Sequence, residues 1–309
     1  MIDATALAQR VLERVPSSAE AEVRVELGRE GLTRFARSFI HQNLSGEGCR
    51  VTLRLSLVGR VAASSTNSSD DPALDRLVST ALEAARVQPV DHGWPGVAQP
   101  ASAAEVEHYD DATAGASPDE RAARVRGFVD AAEGLEAAGF CSTDGVTAAY
   151  ANTAGQRLAG RASSAVVDGI ARTPGSDGSA RAASARLSDL DGRWAGTEAA
   201  RRARDSADAE ELPPGHYEVV LEPGCVANLL YFLAAHGFNG RAVEEGRSFV
   251  SLGERQLDPA VTLRDDATDA RSVGLLFDVE GTPKRPLDLV RDGVSLAVCH
   301  DRRTAKALG

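Results

Sequence analysis

The chain has very little lysine and few aromatics. Of its 34 basic residues only Lys284 and Lys306 are lysines, and Phe, Trp and Tyr make up 5% of 309 residues. A core must therefore be built mainly from Val, Leu and Ala. With a formal charge of −11 and no basic cluster to track phosphates, nucleic acid is excluded as an expected partner. No window approaches the roughly 18 apolar residues that span a bilayer, so no membrane association is expected. The start, Met1 to Val15, lacks the basic region and continuous apolar run of a signal peptide and reads as an amphipathic helix, which points to the cytoplasm. Cys49, Cys141, Cys225 and Cys299 form no C-x-x-C pair and read as reduced, mostly buried thiols. The glycines form neither G-x-G-x-x-G nor G-x-x-x-x-G-K-S/T, so nothing argues for a nucleotide.

What is present is ordered by periodicity. Asp3 caps a first helix with Leu7, Val11 and Val15 on one face. Val23, Val25 and Leu27 alternate as a half-buried strand, Gly28 to Gly31 is expected to turn, and a second strand runs through Phe35. Val51, Leu53, Leu55 and Leu57 alternate again, and Val58-Gly59-Arg60 turns into Val61 to Ser65. The pattern predicts an antiparallel meander with one polar face. Asp70-Asp71-Pro72 opens a helix, and 87–116 reads as a long surface connection. Ser117 to Glu120 is a capping box for a helix expected to reach Ala138 and stop at Gly139. Strands follow near 146–152 and 156–168, then a Ser-, Gly- and Asp-rich segment, 169–192, expected to be mobile. A helix over about 195–207 leads to Pro213-Pro214-Gly215, taken as a domain boundary.

The expected class is α+β. Residues 1–212 form a domain with a mostly antiparallel sheet and flanking helices. Residues 213–309 form a β-rich domain with strands at 217–222, 261–265, 273–277, 287–291 and 294–299. One helix interrupts them. From Val226 onward apolar residues recur at helical spacing after Pro223-Gly224. A helix of this kind can carry the H-E-x-x-x-H zinc site of a peptidase; here those positions read Tyr231-Phe232-Leu233-Ala234-Ala235-His236. Neither aromatic binds zinc as histidine does, and Phe232 cannot take a proton from water.

An ordered series of stretches carries a wider likeness: TRFARSFIHQN (33–43), VTLRLSLVGRVAASSTN (51–67), LDRLVSTALEAAR (74–86), AYANTAGQRLAGRASSA (149–165), GTEAARRA (196–203), VVLEP (219–223), AVEEGRSF (242–249) and FDVEGTPKRPLDLVRDGV (277–294). In this order they resemble the TldD/PmbA (TldD/TldE) peptidase family, on its PmbA/TldE branch. In that family TldD carries the zinc helix in a form like LLHExxGH, against which Leu229 to His236 aligns without a gap and only His236 survives. The resemblance implies a non-catalytic subunit that pairs with a TldD-like, HExxxH-bearing chain, the partner holding zinc and the two acting on peptides or leader peptides. It implies no cofactor in this chain and no catalytic residue. Family members continue further, and TldD's additional cysteine ligand comes from that continuation. Whether a chain ending at Ala307-Leu308-Gly309 is a short member or a shortened piece stays open. The alternatives are an autonomous biosynthetic hydrolase or a peptide-binding module on the same scaffold.

Other candidate chemistry has a plain structural counterpart. His236 is a vestigial metal ligand or a helix-end histidine that packs beside Gly237. Cys299-His300-Asp301 looks like a nucleophile and base, but neighbours on a strand face opposite ways. Cys225 sits near a helix start, where a thiol can be activated or simply packed. Asp265-Asp266 and Glu244-Glu245 lack calcium-loop spacing and read as solvated turns. His41 lies in the His41-Gln42-Asn43 motif and reads as a polar strand end or an interface residue.

Overall fold

A computed structural model describes residues 2–308; Met1 and the chain end at Gly309 lie outside the described residues. The larger part is a six-stranded, wholly antiparallel sheet in the order β3-β2-β1-β4-β5-β6. Its strands are β1 Ala19–Ala36, β2 Phe39–Leu57, β3 Arg60–Thr66, β4 Glu136–Asn152, β5 Arg157–Arg172 and β6 Asp177–Ser184. Alternation sends Val23, Val25, Val51, Leu53 and Leu55 to one face, where α1 (Ala4–Leu12) and α2 (Asp71–Val87) cover them with Leu7, Val11, Leu74 and Leu77. Further along the same face, α4 (Pro118–Ala131) and α5 (Gly192–Asp205) cover Phe35, Cys141, Ala165 and Val167; the short α3 (Asp111–Ala114) precedes α4. Asp3, Asp70 and the Ser117–Glu120 box cap their helices as expected.

Several local readings are corrected. Gly28 to Gly31 does not turn: β1 runs straight through it, paired on both sides with β2 and β4. The chain reverses instead at Arg37-Ser38, which take positive φ of 52° and 63°. That hairpin lacks the Asn-Gly or Asp-Gly signal that normally marks such a turn. The turn before β3 is as expected, with Val58 at φ 53° and Gly59 at 75°. α4 stops at Ala131, because Glu133 and Gly134 enter the left-handed region, and Ala137 and Ala138 already belong to β4. The segment 169–192, expected to be mobile, instead ends β5, forms β6 and opens α5. The connection 87–116 is not merely superficial: Trp94, Val97, Ala98 and His108 are buried. Both His108 ring nitrogens face carbonyl oxygens, Gly274 at 3.1 Å and Asp269 at 3.0 Å, so this connection anchors the region beyond residue 213.

That C-terminal region has less regular strand than expected. It holds α6 (Pro223–Phe232), α7 (Gly240–Glu244), a three-stranded sheet of β7 Leu263–Asp265, β8 Leu287–Arg291 and β9 Val294–Ser295, and α8 (Arg302–Leu308). Residues 217–222 and 273–277 form no strand, and 294–299 is strand only at its start. Phe238, Leu289, Val290 and Val298 make a small core of their own. The region lies against the second face of the large sheet, where Tyr150 and Leu158 meet Leu275 and Phe277.

Candidate functional site

The polar face expected of the meander is only partly polar and solvated. Glu22, opposite the core residues Val23 and Val25, is 5% exposed because the C-terminal region closes over it. Its carboxylate accepts from Arg54 Nε at 2.5 Å and from the Tyr150 hydroxyl at 2.8 Å. The same guanidinium donates to Glu280 Oε1 at 2.9 Å, and Glu280 Oε2 accepts from the Arg302 backbone N–H at 2.8 Å. Arg54 also lies 4.9 Å over the Trp94 ring. Burial raises the Glu22 pKa despite the opposing pull of Arg54, and burial beside Glu22 raises that of Tyr150. One arginine thus joins a strand of the large sheet to the C-terminal region.

This network forms the inner wall of a cavity of about 970 Å³. Arg54 and Glu22 come from the sheet, Leu230 and Ala234 from α6 and the turn after it, and Asp265, Cys299 and His300 from the C-terminal region. Residues from 22 to 304 in the sequence converge there, so no local motif could have revealed it. The available signal was the polar alternation Glu22, Arg24, Glu26 in a strand that the fold covers on both faces.

The helix bordering the cavity keeps an unusual geometry. α6 continues into a π turn, Leu233–Gly237, closed by Phe238 N–H donating to Leu233 O at 2.9 Å. In an α-helix, residues five apart lie well round the cylinder from each other. A π turn brings position 236 back toward the face of position 231. H-E-x-x-x-H spacing needs such an arrangement, and here the π turn falls between the Tyr231-Phe232 pair and the end of the helix at His236. The Phe232 ring stacks on His236 at 6.2 Å with 10° between planes, and packs edge-on to Tyr231 at 5.6 Å. All three residues are exposed. The donor set is one imidazole among aromatic rings, and among the described residues no group of three or more His, Cys, Asp or Glu is placed to hold a metal. These residues do not fit zinc.

The other candidates do not assemble into a catalytic group. Cys299 Sγ lies 3.6 Å from Asp265, and desolvation together with that carboxylate pushes the thiol up to about 11. His300 Nδ1 is instead 3.2 Å from the Thr304 hydroxyl, and Asp301 caps α8 through Thr304 N–H at 2.7 Å. Cys225 is exposed on α6, far from the expectation of a packed thiol; Cys141 is buried and pushed up to about 11. Asp266 accepts from Thr268, and Glu245 pairs with Arg241 at 2.9 Å and with Arg247, as turn and helix residues do. His41 is exposed on β2 beside Phe39, 6.3 Å between ring centres.

Residues 21–85 match the family profile "PmbA/TldA metallopeptidase domain 1", and residues 214–309 match "PmbA/TldA metallopeptidase C-terminal domain". A curated protein described as a metalloprotease TldD homolog, from Haemophilus influenzae, is 31% identical over 115 residues. The match covers 36% of this chain and 24% of that protein, so the chain spans about a quarter of the curated relative it matches. Among solved structures the chain is similar to TldE from Thermococcus kodakarensis, with TM-score 0.83 and 19% identity, over 98% of this chain and 71% of that one. It is also similar to a protein from Thermotoga maritima described as a candidate modulator of a DNA gyrase, with TM-score 0.87 and 19% identity, over 98% and 72%.

Proposed function

The chain belongs to the PmbA/TldD metallopeptidase family, and on that premise we propose that it is a TldE-like, non-catalytic subunit of a two-chain zinc peptidase acting on peptides or leader peptides. The observation that carries this reading is the π turn after α6. The backbone shape suited to an H-E-x-x-x-H site is kept, while Tyr231 and Phe232 stand where a zinc ligand and a general base would be needed. A residue able to activate water must accept its proton, and a phenyl ring accepts none. The zinc and the base then belong to a TldD-like partner, and no step of bond cleavage runs through this chain. Its own contribution is a walled space beside the partner: the cavity under α6 offers apolar Leu230, Ala234 and Leu289 together with charged Asp265, Arg264 and Arg241, a surface suited to holding peptide and excluding water.

The alternative, an autonomous hydrolase, needs either His236 plus distant ligands or an active thiol. The donor set around His236 and the raised pKa of Cys299 both count against it. Zinc content and peptide hydrolysis decide between the two. Purified alone, the chain is expected to bind zinc well below one equivalent and to leave peptides intact. Mixed with an HExxxH-bearing family member, it should raise that protein's peptidase activity. Stoichiometric zinc that disappears in His236→Ala, with hydrolysis by the chain alone, would overturn the reading.

A further inference from the structure

His108 is 1% exposed, and the polar neighbours of its ring are both backbone carbonyls. Nδ1 lies 3.1 Å from Gly274 O and Nε2 3.0 Å from Asp269 O. A carbonyl oxygen only accepts, so each ring nitrogen must donate to make its bond. A neutral imidazole has one N–H and would turn a lone pair on the other carbonyl, whereas the positively charged ring has two and satisfies both. The neutral form therefore loses a hydrogen bond in a place where water does not replace it. The surroundings favour the charge. Asp269 belongs to the same turn, and its carboxyl is held below the usual carboxylate range by Arg271 first and, among smaller causes, by the His108 ring. The other charged groups on the elements packed around the ring are engaged elsewhere. On the connection, Glu107 is exposed and Asp110 accepts from Thr113 N–H at 2.8 Å. On β5, Arg161 lies 4.2 Å over the Tyr109 ring and 3.6 Å from Asp111. In the C-terminal region, Asp266 accepts from Thr268 and Arg271 pairs with Asp269 at 2.7 Å.

The residue is fixed on one side and fastens on the other. His108 O accepts from Ser163 N–H at 2.8 Å, and Asp110 N–H donates to Ser163 Oγ at 2.9 Å, which ties this stretch to β5. The two carbonyls belong to the turn at 269–274. Beyond that turn, Leu275 and Phe277 pack with Tyr150 and Leu158, and Glu280 reaches Arg54. Asp265 before the turn, and Asp278 and Glu280 after it, line the cavity of about 970 Å³. We propose that His108 is a proton-operated latch on this wall. As histidinium it holds the turn at 269–274 to the large sheet. On giving its proton to water it lets go of one of the two carbonyls, and the segment bearing Asp265, Asp278 and Glu280 loosens. The folded arrangement has a place for the charged ring and none for the second lone pair of the neutral one. The fastening is therefore complete in acid and is lost as pH rises through the range in which the ring titrates. Every member of the latch lies in this chain, and the inference does not rest on the subunit reading above.

The test is proton–nitrogen NMR of the histidine-labelled chain from about pH 5 to about pH 9, where the buried ring is told from the other histidines by its slowly exchanging N–H. Hydrogen exchange across 266–280 is followed at the same pH values and corrected for the intrinsic pH dependence of amide exchange. At about pH 6 both His108 ring nitrogens should carry a proton. Once the ring has lost one, protected amides of 266–280 should exchange about tenfold faster. Glutamine offers a donor at one end only and does not titrate. In His108→Gln the segment should therefore exchange at the faster rate at every pH, while amides of α1 and α2 keep their protection. A ring with one bare nitrogen at about pH 6 overturns the latch, as does one that keeps its charge to about pH 9. So does exchange across 266–280 that stays the same when the ring loses its proton. The unsubstituted chain supplies each of these readings, so the outcome does not hang on the folding of the variant.

Discussion

Replacing Arg54 by leucine tests whether one side chain fastens the two parts of the molecule. Arg54 is 31% exposed, while the carboxylates it joins are 6% (Glu22) and 11% (Glu280) exposed. Removing one member of a buried ionic group costs about 3–5 kcal/mol, since the partners stay buried and unpaired. Partial exposure of Arg54 argues for the lower end, so about 3 kcal/mol is expected. For a chain of this size that is roughly 6 °C in melting temperature, at about 2 °C per kcal/mol. The pH dependence is the sharper readout. In the folded protein burial already raises the Glu22 pKa above its ordinary 4.5, and Arg54 opposes that rise. Between the unfolded and folded pKa the folded state binds more protons, so stability falls as pH rises through that window. Without Arg54 the folded pKa moves further up, the window widens, and the variant should lose most stability near neutral pH and regain part of it on acidification. Adding Glu22→Gln should restore part of the loss by removing the unpaired charge. Melting curves of the three proteins from pH 5 to 8 check this. An Arg54→Leu penalty that is the same at every pH and unaffected by Glu22→Gln would refute the argument.

The remaining predictions are independent of that network. A methyl group at Gly31 would overlap the guanidinium of Arg121, which is 1% exposed and held by Ala116 O at 2.7 Å and Ser45 Oγ at 3.1 Å, so Gly31→Ala should cost about 1–3 kcal/mol in denaturant midpoint at constant slope. Gly196 meets the backbone carbonyl of Phe128 where α5 crosses α4; a carbonyl yields less readily than a side chain, and Gly196→Ala should lower the melting temperature at least as much. Iodoacetamide at pH 8 should label Cys225 first, and peptide mapping checks it. The Cys299 thiol, pushed up to about 11, is then thiolate in about one molecule per thousand, and Cys141 is in addition buried.

What was legible in the sequence is what a single element decides for itself. Period-two alternation placed Val51, Leu53 and Leu55 on the core face, and side-chain caps at Asp3, Asp70 and Ser117 started three helices. The hairpin at Arg37-Ser38 was illegible because residues with no left-handed preference are held there by the pairing of two long strands, Thr33 with Asn43 and onward. Val219-Val220-Leu221 shows the opposite limit. β-propensity is real in that run, but a strand exists only when a neighbour supplies its ladder, and the described residues supply none.

The candidate site divides along the same line. That Tyr231 and Phe232 offer neither an imidazole nor a carboxylate could be read directly, because spacing along one helix fixes their relation to His236, and the π turn shows how a five-residue spacing can serve one face. The wall of the cavity could not be read, since Glu22 looked like a solvent-facing residue until Glu280 and Arg302 closed over it. These two facts bear on each other. Arg54 sits where it does at the cost of burying two carboxylates, one of them with a raised pKa. Holding the C-terminal region against the sheet gives that arrangement a purpose, because it fixes where α6 stands beside the cavity.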